Sequence, residues 1–225
     1  MKKITVLLAD DHTLLREGCR MMLEFEDDFE VVGEAHDGRA AVDLAKKLHP
    51  DVVLMDISMP SLNGLEATRQ IHKAAPTTKV LMLSAHSDDM YVQSATDSGA
   101  VGFLLKQSSG NETCRAIREV HQGKMFFSPA IARHFNRVNQ PLPAYAGRLS
   151  PKAVRLTSRE TEVLQLVAEG NVNKQTAAKL GINVKTVEKH REHIMAKLDI
   201  HHTAGLTRYA INAGFVESNV QLLTV

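Results

Sequence analysis

The chain has 225 residues, of which 44% are hydrophobic and 24% are charged, and its formal net charge is +1. This length provides for one or two domains, and the composition is that of an ordinary globular protein. No apolar run approaches the roughly 20 residues that span a bilayer, which excludes a membrane-spanning helix and favours a cytoplasmic location. Cys19 and Cys114 stand among apolar neighbours in predicted helices, so we expect both to remain reduced.

Strand-like and helix-like stretches alternate over the first 125 residues. Short apolar runs predict strands over 4–9, 31–35, 52–56, 79–84 and 102–106. The first intervening helix is expected to have one apolar face, formed by Leu14, Leu15, Gly18, Cys19, Met22 and Leu23, and further helices are expected over 37–47, 65–75, 88–98 and 111–121. The alternation predicts an α/β fold with a flavodoxin-like, doubly wound, five-stranded parallel sheet in the order 2-1-3-4-5.

Polar residues stand where the apolar runs of this sheet end. Asp10 and Asp11 follow the first strand, and Asp56, Ser84 and Lys106 close three others. An aspartate after a strand is common turn chemistry when taken alone. The carboxyl ends of parallel strands line one crevice, however, so the set predicts an acidic pocket with a single lysine. Such a pocket can hold a hard divalent cation and present one carboxylate to a phosphoryl donor.

The rest of the chain changes in character. The stretch 136–152 contains Pro141, Pro143, Gly147 and Pro151 without sustained periodicity, which predicts a linker, and residues 120–136 suggest an extra helix before it. Beyond it, Thr157 or Ser158, then Asn173, then Asn183 are candidate caps of successive helices, and a last helix is expected over about 203–212. A short helix, a turn containing Gly181 and a longer helix together predict a helix-turn-helix.

The charges are divided between the two parts. Residues 1–125 hold 14 Lys and Arg against 19 Asp and Glu, a net charge of −5. Residues 150–225 hold 10 Lys and Arg against 7 Asp and Glu, a net charge of +3. An acidic part joined to a basic part indicates two tasks, with nucleic acid a candidate partner of the basic part.

The longer helix of the predicted helix-turn-helix has two distinct faces. Its apolar stripe, at spacings of 3, 4 and 4, comprises Val187, His190, Ile194 and Leu198. The opposite face carries Lys185, Glu188, Lys189 and Glu192, and Arg191 flanks the stripe. A helix in the major groove of DNA reads base edges with such a polar face, although a solvated face of an ordinary helix has the same pattern.

The first 125 residues resemble the receiver domain of bacterial two-component response regulators. The resemblance is carried by Leu8-Ala9-Asp10-Asp11-His12, by Leu54 to Pro60 with Gly64, by Met82-Leu83-Ser84-Ala85 and by Gly99 to Lys106. It implies that Asp56 is the phosphoacceptor and that Asp10, Asp11, Asp56 and the backbone carbonyl of Ser58 hold Mg²⁺. It also implies that Ser84 and Lys106 contact the phosphoryl oxygens and that Phe103 is the aromatic switch.

The segment from Leu156 to Gly214 resembles the LuxR-type helix-turn-helix of NarL/FixJ-like regulators. Matching residues include Leu156 to Glu160, Gly170, Thr186-Val187 and Lys197-Leu198. The resemblance implies phosphate contacts from Lys174, Lys185, Thr186 and Arg191, and base contacts from Glu188, Lys189 and Glu192. Two departures are the run from Asn171 to Thr176 and Glu188, which stands where a lysine is frequent in the family.

Together these features predict a response regulator with a receiver over 1–125, a linker with a possible extra helix over 126–152 and a DNA-binding domain over 153–225. A sensor histidine kinase would phosphorylate Asp56, and the phosphorylated chain would form a homodimer on paired half-sites of double-stranded DNA. RNA polymerase is a further candidate partner, and no membrane association is expected.

Two other classes stay open at this point. A pseudo-receiver would be an interaction module that works without phosphate, and the intact set of pocket residues argues against it. A phosphotransfer enzyme would use a phosphoaspartate to act on a small substrate, but the sequence has no obvious domain that could cap such a substrate.

Overall fold

The computed structural model describes residues 2–85, 89–128, 131 and 156–216. The chain divides into two compact units, one over Met1–Ala153 and one over Val154–Val225. The division between the units falls close to the boundary predicted at residue 153, and each unit has its own hydrophobic core.

The described part of the first unit contains a parallel sheet in the order β2-β1-β3-β4-β5-β6. Its strands are β1 Ile4–Ala9, β2 Phe29–Ala35, β3 Val52–Asp56, β4 Lys79–Ser84, β5 Gly102–Leu105 and β6 Phe126–Phe127. Every residue of β3 is buried, as expected of a strand covered by helices on both faces. The predicted order of the first five strands is confirmed.

The sheet differs from the prediction at one edge, where β6 adds a strand to the expected five. Gly102 and Phe103 of β5 pair with Phe126 and Phe127 in parallel register. The missing side chain of Gly102 permits this approach, since a Cβ atom there would lie 2.9 Å from the carbonyl oxygen of Phe126. The segment 126–152, predicted to be a linker, therefore begins with a strand of the receiver-like unit.

Helices cover both faces of the sheet. They are α1 Thr13–Glu24, α2 Gly38–Leu48, α3 Gly64–Ala74, α4 Asp89–Ser98 and α5 Gly110–His121. Asp37, Asn63 and Ser109 cap α2, α3 and α5, each accepting a hydrogen bond from a backbone N–H group in the first helical turn. The extra helix expected over 120–136 is not formed at its start, because α5 ends at His121 and β6 follows. Residues 129–130 and the predicted linker over 136–152 lie outside the described residues.

The predicted apolar face of α1 is only partly buried. Leu23 is fully buried and Cys19 and Met22 pack against the core, but the side chain of Leu14 is 84% exposed. Leu14 lies on the same side of the helix as the exposed Met21 and Phe25, so this part of the predicted apolar face is not buried.

The described part of the second unit is helical, with α6 Ser158–Ala168, α7 Asn173–Leu180, α8 Val184–Leu198 and α9 Thr203–Asn212. A capping box between Thr157 and Glu160 begins α6. Gly181 adopts a left-handed conformation (φ 62°) in the turn between α7 and α8, and Asn183 caps α8. The predicted helix-turn-helix is therefore present, with α8 as its longer helix.

One predicted helix start differs in detail. Val172, and not Asn173, is the N-cap residue of α7, and the side chain of Asn173 accepts a hydrogen bond from Arg191 instead. The last helix begins at Thr203 as predicted, and His202 caps it by accepting a hydrogen bond at Nδ1 from the backbone N–H of Gly205, at 2.8 Å.

None of the helices in the described ranges combines the length and the apolar character that crossing a membrane requires.

Candidate functional site

The parallel register of the sheet gathers the predicted pocket residues at one edge. Asp10 follows β1, Asp56 ends β3 and Ser84 ends β4. Met55, next to Asp56, pairs with Ala9, next to Asp10, and Asp56 itself pairs with Leu83, next to Ser84. Asp10 and Asp56 are 3% and 1% exposed, so two carboxyl groups are buried side by side.

Lys106 supplies the positive charge of this pocket. Its Nζ atom lies 2.8 Å from Oδ2 of Asp56 and 3.2 Å from Oδ2 of Asp10. Its backbone N–H donates to the carbonyl oxygen of Ser84 at 2.7 Å, which fixes the end of β5 beside β4. A compact ammonium group is thus held against the carboxyl group of Asp56.

The pocket makes ionisation of Asp56 costly. Burial raises the pKa of its carboxyl group to about 7, and the neighbouring charge of Asp10 adds to the rise, while Lys106 acts in the opposite direction. The two carboxyl groups also raise the pKa of Lys106, against the effect of its burial. One ammonium group therefore does not fully compensate the carboxylates that surround it.

These residues form an arrangement that suits a divalent cation. Ligand atoms of Asp10, Asp11, His12 and Asp56 all lie within 4.8 Å of one another. Mg²⁺ prefers oxygen ligands and retains several waters, so two or three carboxylates with open access on one side fit it. Asp11 is exposed and Ser58 half-buried, which leaves such access, whereas Asp10 and Asp56 form the buried floor.

The loop after β3 places Asp56 through a close backbone contact. The N–H group of Gly64 donates to the carbonyl oxygen of Ile57 at 2.7 Å. Any side chain at Gly64 would collide with the carbonyl oxygen of Asp56. The glycine eight positions after the aspartate is therefore required by packing against the backbone of Asp56.

Phe103 lies on β5 three residues before Lys106 and is 0% exposed. Its strand neighbours are Met82 on β4 and Phe127 on β6. Ser84 is also buried, at the end of β4. The aromatic ring thus occupies an inward position in this structure, on the strand that leads to the pocket lysine.

Sequence reasoning missed two contributors to the pocket. His12 places Nδ1 3.1 Å from Oδ1 of both Asp10 and Asp11. Arg16 donates to the backbone carbonyl oxygen of Asp10 at 2.7 Å and pairs with Glu34 at 2.9 Å, which anchors the loop between β1 and α1. The turn between β1 and α1 brings His12 back against the two aspartates that precede it. The order of residue types alone does not predict this contact.

The second unit presents a polar helix face. On α8 the stripe predicted to be buried is confirmed, with Val187 and Ile194 fully buried and His190 and Leu198 half-buried. Side chains predicted to face DNA are exposed, namely those of Lys174, Lys185, Thr186, Glu188, Lys189 and Glu192.

Arg191 differs from the other predicted DNA contacts because it is half-buried. Its guanidinium group donates to Oδ1 of Asn173 at 2.8 Å and to Oγ1 of Thr203 at 3.0 Å. Arg191 therefore connects the starts of α7 and α9 to α8, and its role is structural at least in part.

Further contacts hold α6, α7 and α8 together within this unit. Lys197 donates to Glu160 at 2.7 Å, and Arg159 donates to the carbonyl oxygen of Leu180 at 2.7 Å, at the end of α7. The exposed face of α8 is consequently presented by a supported helix, as a major-groove reader requires.

Two family models match the chain. Residues 6–118 match the response regulator receiver domain, and residues 154–210 match the luxR family of bacterial regulatory proteins. Each match lies within one of the two compact units, and the two matches contain the pocket and the polar helix face, respectively.

Characterised relatives are similar over nearly the whole chain. The transcriptional regulatory protein DegU of Brevibacillus brevis is 36% identical over 226 residues, covering 96% of each chain. LiaR of Bacillus subtilis is 38% identical over 208 residues, covering 92% of this chain and 96% of the relative.

Solved structures of response regulators are also similar over nearly the whole chain. The RcsB response regulator of Salmonella typhimurium is 28% identical with a TM-score of 0.57, covering 93% of this chain and 98% of that one. A structure of an RcsB–DNA complex is 26% identical with the same TM-score, covering 92% and 98%. The chain thus belongs to the two-component response regulators that join a receiver to a LuxR-type DNA-binding domain, a family of transcriptional regulators and not of enzymes.

Proposed function

We propose that this response regulator is activated by phosphorylation of Asp56 by a sensor histidine kinase, and that the phosphorylated chain dimerises on paired DNA half-sites. The observation that carries the proposal is the buried carboxyl group of Asp56, 2.8 Å from Lys106 and beside Asp10. This is the arrangement that an attacking carboxylate needs when the incoming group is itself anionic.

Each pocket residue has a role in this step. Asp56 attacks the phosphorus atom and forms an acyl phosphate, while the leaving imidazole remains with the kinase. Asp10, Asp11, Asp56 and the backbone carbonyl of Ser58 would hold Mg²⁺, which, when bound, offsets the repulsion between carboxylate and phosphoryl oxygens. Lys106 keeps its ammonium group against the position where charge develops, and Ser84 donates a hydrogen bond to a phosphoryl oxygen.

The conformational consequence follows from the same residues. A phosphoryl group adds charge and acceptor oxygens at the ends of β3, β4 and β5. Ser84 moves towards it, and Phe103, three residues before Lys106, settles in the space beside β4. Phosphorylation can act only by stabilising one of two receiver states more than the other.

DNA recognition belongs to α8. Lys174, Lys185 and Thr186 contact phosphates, and Glu188, Lys189 and Glu192 face base edges, while Arg191 divides its donors between the domain and the DNA backbone. The RcsB–DNA complex supports this assignment, since RcsB is a relative of the same architecture. The chain would act in the cytoplasm and alter transcription by RNA polymerase at the bound promoter.

A labelling experiment tests the phosphoacceptor. Wild-type protein is incubated with a radioactive small-molecule phosphodonor and Mg²⁺, beside Asp56→Asn and the control Asp43→Asn, which changes an exposed carboxylate on α2. Wild type and Asp43→Asn should acquire label that hydroxylamine releases, as it does from an acyl phosphate, and Asp56→Asn should acquire none. Label that persists in Asp56→Asn would remove Asp56 from this role, and unlabelled wild type would favour a pseudo-receiver.

A further inference from the structure

His12 brings a nitrogen ligand to a pocket whose other ligand atoms are oxygens. Its Nδ1 atom lies 3.1 Å from Oδ1 of Asp10, 3.1 Å from Oδ1 of Asp11 and 3.5 Å from Nζ of Lys106. The side chain is 53% exposed, so its ring is at the mouth of the pocket and accessible to an ion from solvent. The proposed phosphotransfer reaction uses no imidazole on this chain.

Among the described residues, the buried oxygens opposite His12 are contacted by one positive charge, that of Lys106. Oδ2 of Asp10 and Oδ2 of Asp56 are both inaccessible to solvent and accept no hydrogen bond from an N–H or O–H group of neutral residues in the described chain. Their contact is the single ammonium group of Lys106, which also faces His12. A divalent cation between these atoms would supply the charge that Lys106 alone does not.

Ligand chemistry determines for which cation His12 raises the affinity of the pocket. Mg²⁺ is a hard ion that takes oxygen ligands and retains its waters, so an imidazole adds little to its affinity. Zn²⁺ and the neighbouring first-row ions bind imidazole nitrogen strongly, in the order Mn²⁺ < Co²⁺ < Ni²⁺ < Cu²⁺ > Zn²⁺. One imidazole and three carboxylates with ligand atoms inside 4.8 Å form a mixed nitrogen and oxygen set of the kind that Zn²⁺ accepts.

We infer that His12 makes the acidic pocket a binding site for Zn²⁺ and related borderline divalent cations, which would compete there with Mg²⁺. The inference rests on the proposed function for the Mg²⁺ site itself, and it adds a ligand and a metal class. A cation held by His12 together with Asp10 and Asp56 would occupy the position from which Mg²⁺ assists phosphorylation. Such metals therefore reduce the fraction of the receiver that can bind Mg²⁺ and be phosphorylated.

The test compares two metals on three proteins. Zn²⁺ and Mg²⁺ affinities are measured by titration calorimetry for the full chain, for His12→Gln and for the control His201→Gln. His201 is likewise exposed and 3.2 Å from an aspartate, Asp199, but belongs to the other unit and is not part of the carboxylate cluster. Glutamine keeps a polar side chain of similar reach and lacks the imidazole, and circular dichroism checks that each variant is folded.

We expect His12→Gln to weaken Zn²⁺ binding at least tenfold and to change Mg²⁺ affinity less than twofold, while His201→Gln leaves the pocket's affinity for both ions unchanged. Saturating Mg²⁺ should also weaken Zn²⁺ binding to wild type, because the two ions share Asp56. With Cu²⁺ as a probe at one equivalent, nitrogen hyperfine coupling in the electron paramagnetic resonance spectrum should be present in wild type and lost in His12→Gln.

Equal Zn²⁺ affinity in wild type and His12→Gln would overturn the inference. An equal decrease in the affinities for Zn²⁺ and Mg²⁺ would overturn it too, since His12 would then only support the Mg²⁺ site. Zn²⁺ affinity that is unchanged by saturating Mg²⁺ would mean that Zn²⁺ binds at a different site, which would also overturn the inference. Failure of the proposed function has a different signature. In that case wild type would not be labelled in Mg²⁺ buffer freed of transition metals, whatever effect His12→Gln has on Zn²⁺ affinity.

Discussion

The carboxyl group of Asp56 opposes folding when it is ionised and no cation is bound. Its pKa in the folded chain is about 7, above the ordinary value of 3.8, so the folded state holds a proton that the unfolded state releases. The stability contribution of this group is therefore greatest below about pH 4 and is lost as pH rises towards 7 and beyond. A difference of one pH unit between the folded and unfolded pKa corresponds to about 1.4 kcal/mol of stability.

We accordingly predict that Asp56→Asn stabilises the metal-free receiver at pH 8 by a few kcal/mol, and by much less near pH 4. Urea unfolding of wild type and variant at both pH values, in the presence of a chelator, measures this difference. Asp43→Asn, which alters an exposed carboxylate, should show no such pH-dependent gain. A gain of equal size at both pH values would contradict the raised pKa of Asp56.

Gly64 provides a second prediction at this scale. Gly64→Ala forces a Cβ atom into the carbonyl oxygen of Asp56 and should cost about 1–3 kcal/mol, the range for overpacking, together with much of the labelling of Asp56. Gly18→Ala is the matched control, because nothing lies within 4 Å of a Cβ atom there and α1 should gain stability. Similar unfolding midpoints for the two variants would show that the loop after β3 adapts to a side chain.

Single residues also show where sequence reasoning succeeds and where it ends. Asp56, Ser84 and Lys106 could be predicted as neighbours because strand direction and register alone place strand ends together. His12 could not, since its contact with Asp10 and Asp11 depends on the local turn into α1. Arg191 looked like a phosphate contact by position, and only the packing of the starts of α7 and α9 against α8 reveals its bonds to Asn173 and Thr203.

At the scale of elements, long periodic segments were predictable and short or edge segments were not. The bounds of β1, β3 and β4 agree with the apolar runs, because buried parallel strands are apolar on both faces. The two-residue strand β6 has too few residues to show periodicity, and it forms because Gly102 leaves room for Phe126. On α1 the periodicity identified an apolar face without saying what covers it, and Leu14 on that face is exposed.

Helix α8 carries a prediction that separates two kinds of DNA contact. Lys185→Ala should weaken binding to matched and mismatched sites alike and reduce the salt dependence, because a phosphate contact releases counterions irrespective of sequence. Lys189→Ala should instead reduce the preference for the matched site, by about 1–3 kcal/mol for a good base contact.

Fluorescence anisotropy on both DNA sites at several salt concentrations measures the two effects. Lys185 and Lys189 are about one helical turn apart and both exposed, so each variant serves as the control for the other. Identical behaviour of the two would mean that the base-reading face of α8 has been assigned to the wrong side. Arg191→Ala is less informative here, because it removes bonds within the domain as well.

At the scale of the whole molecule, the two units have separate cores and opposite charge. The receiver unit holds the acidic pocket, and the basic unit holds the polar face of α8. In the proposed function, dimerisation through phosphorylated receivers would raise the effective concentration of the second DNA-binding unit at a paired site, without any new contact between protein and DNA. The coupling therefore predicts a gain that depends on phosphorylation, on two half-sites and on their spacing.

The most direct test of this coupling is the affinity of the full chain for a paired site and for a single half-site, with and without a stable phosphoryl mimic, at one salt concentration. We predict that the mimic raises affinity for the paired site in wild type, leaves the single half-site nearly unchanged and has no effect on Asp56→Asn. Equal affinity of wild type for the paired site in both conditions, or an equal gain in Asp56→Asn, would contradict the coupling.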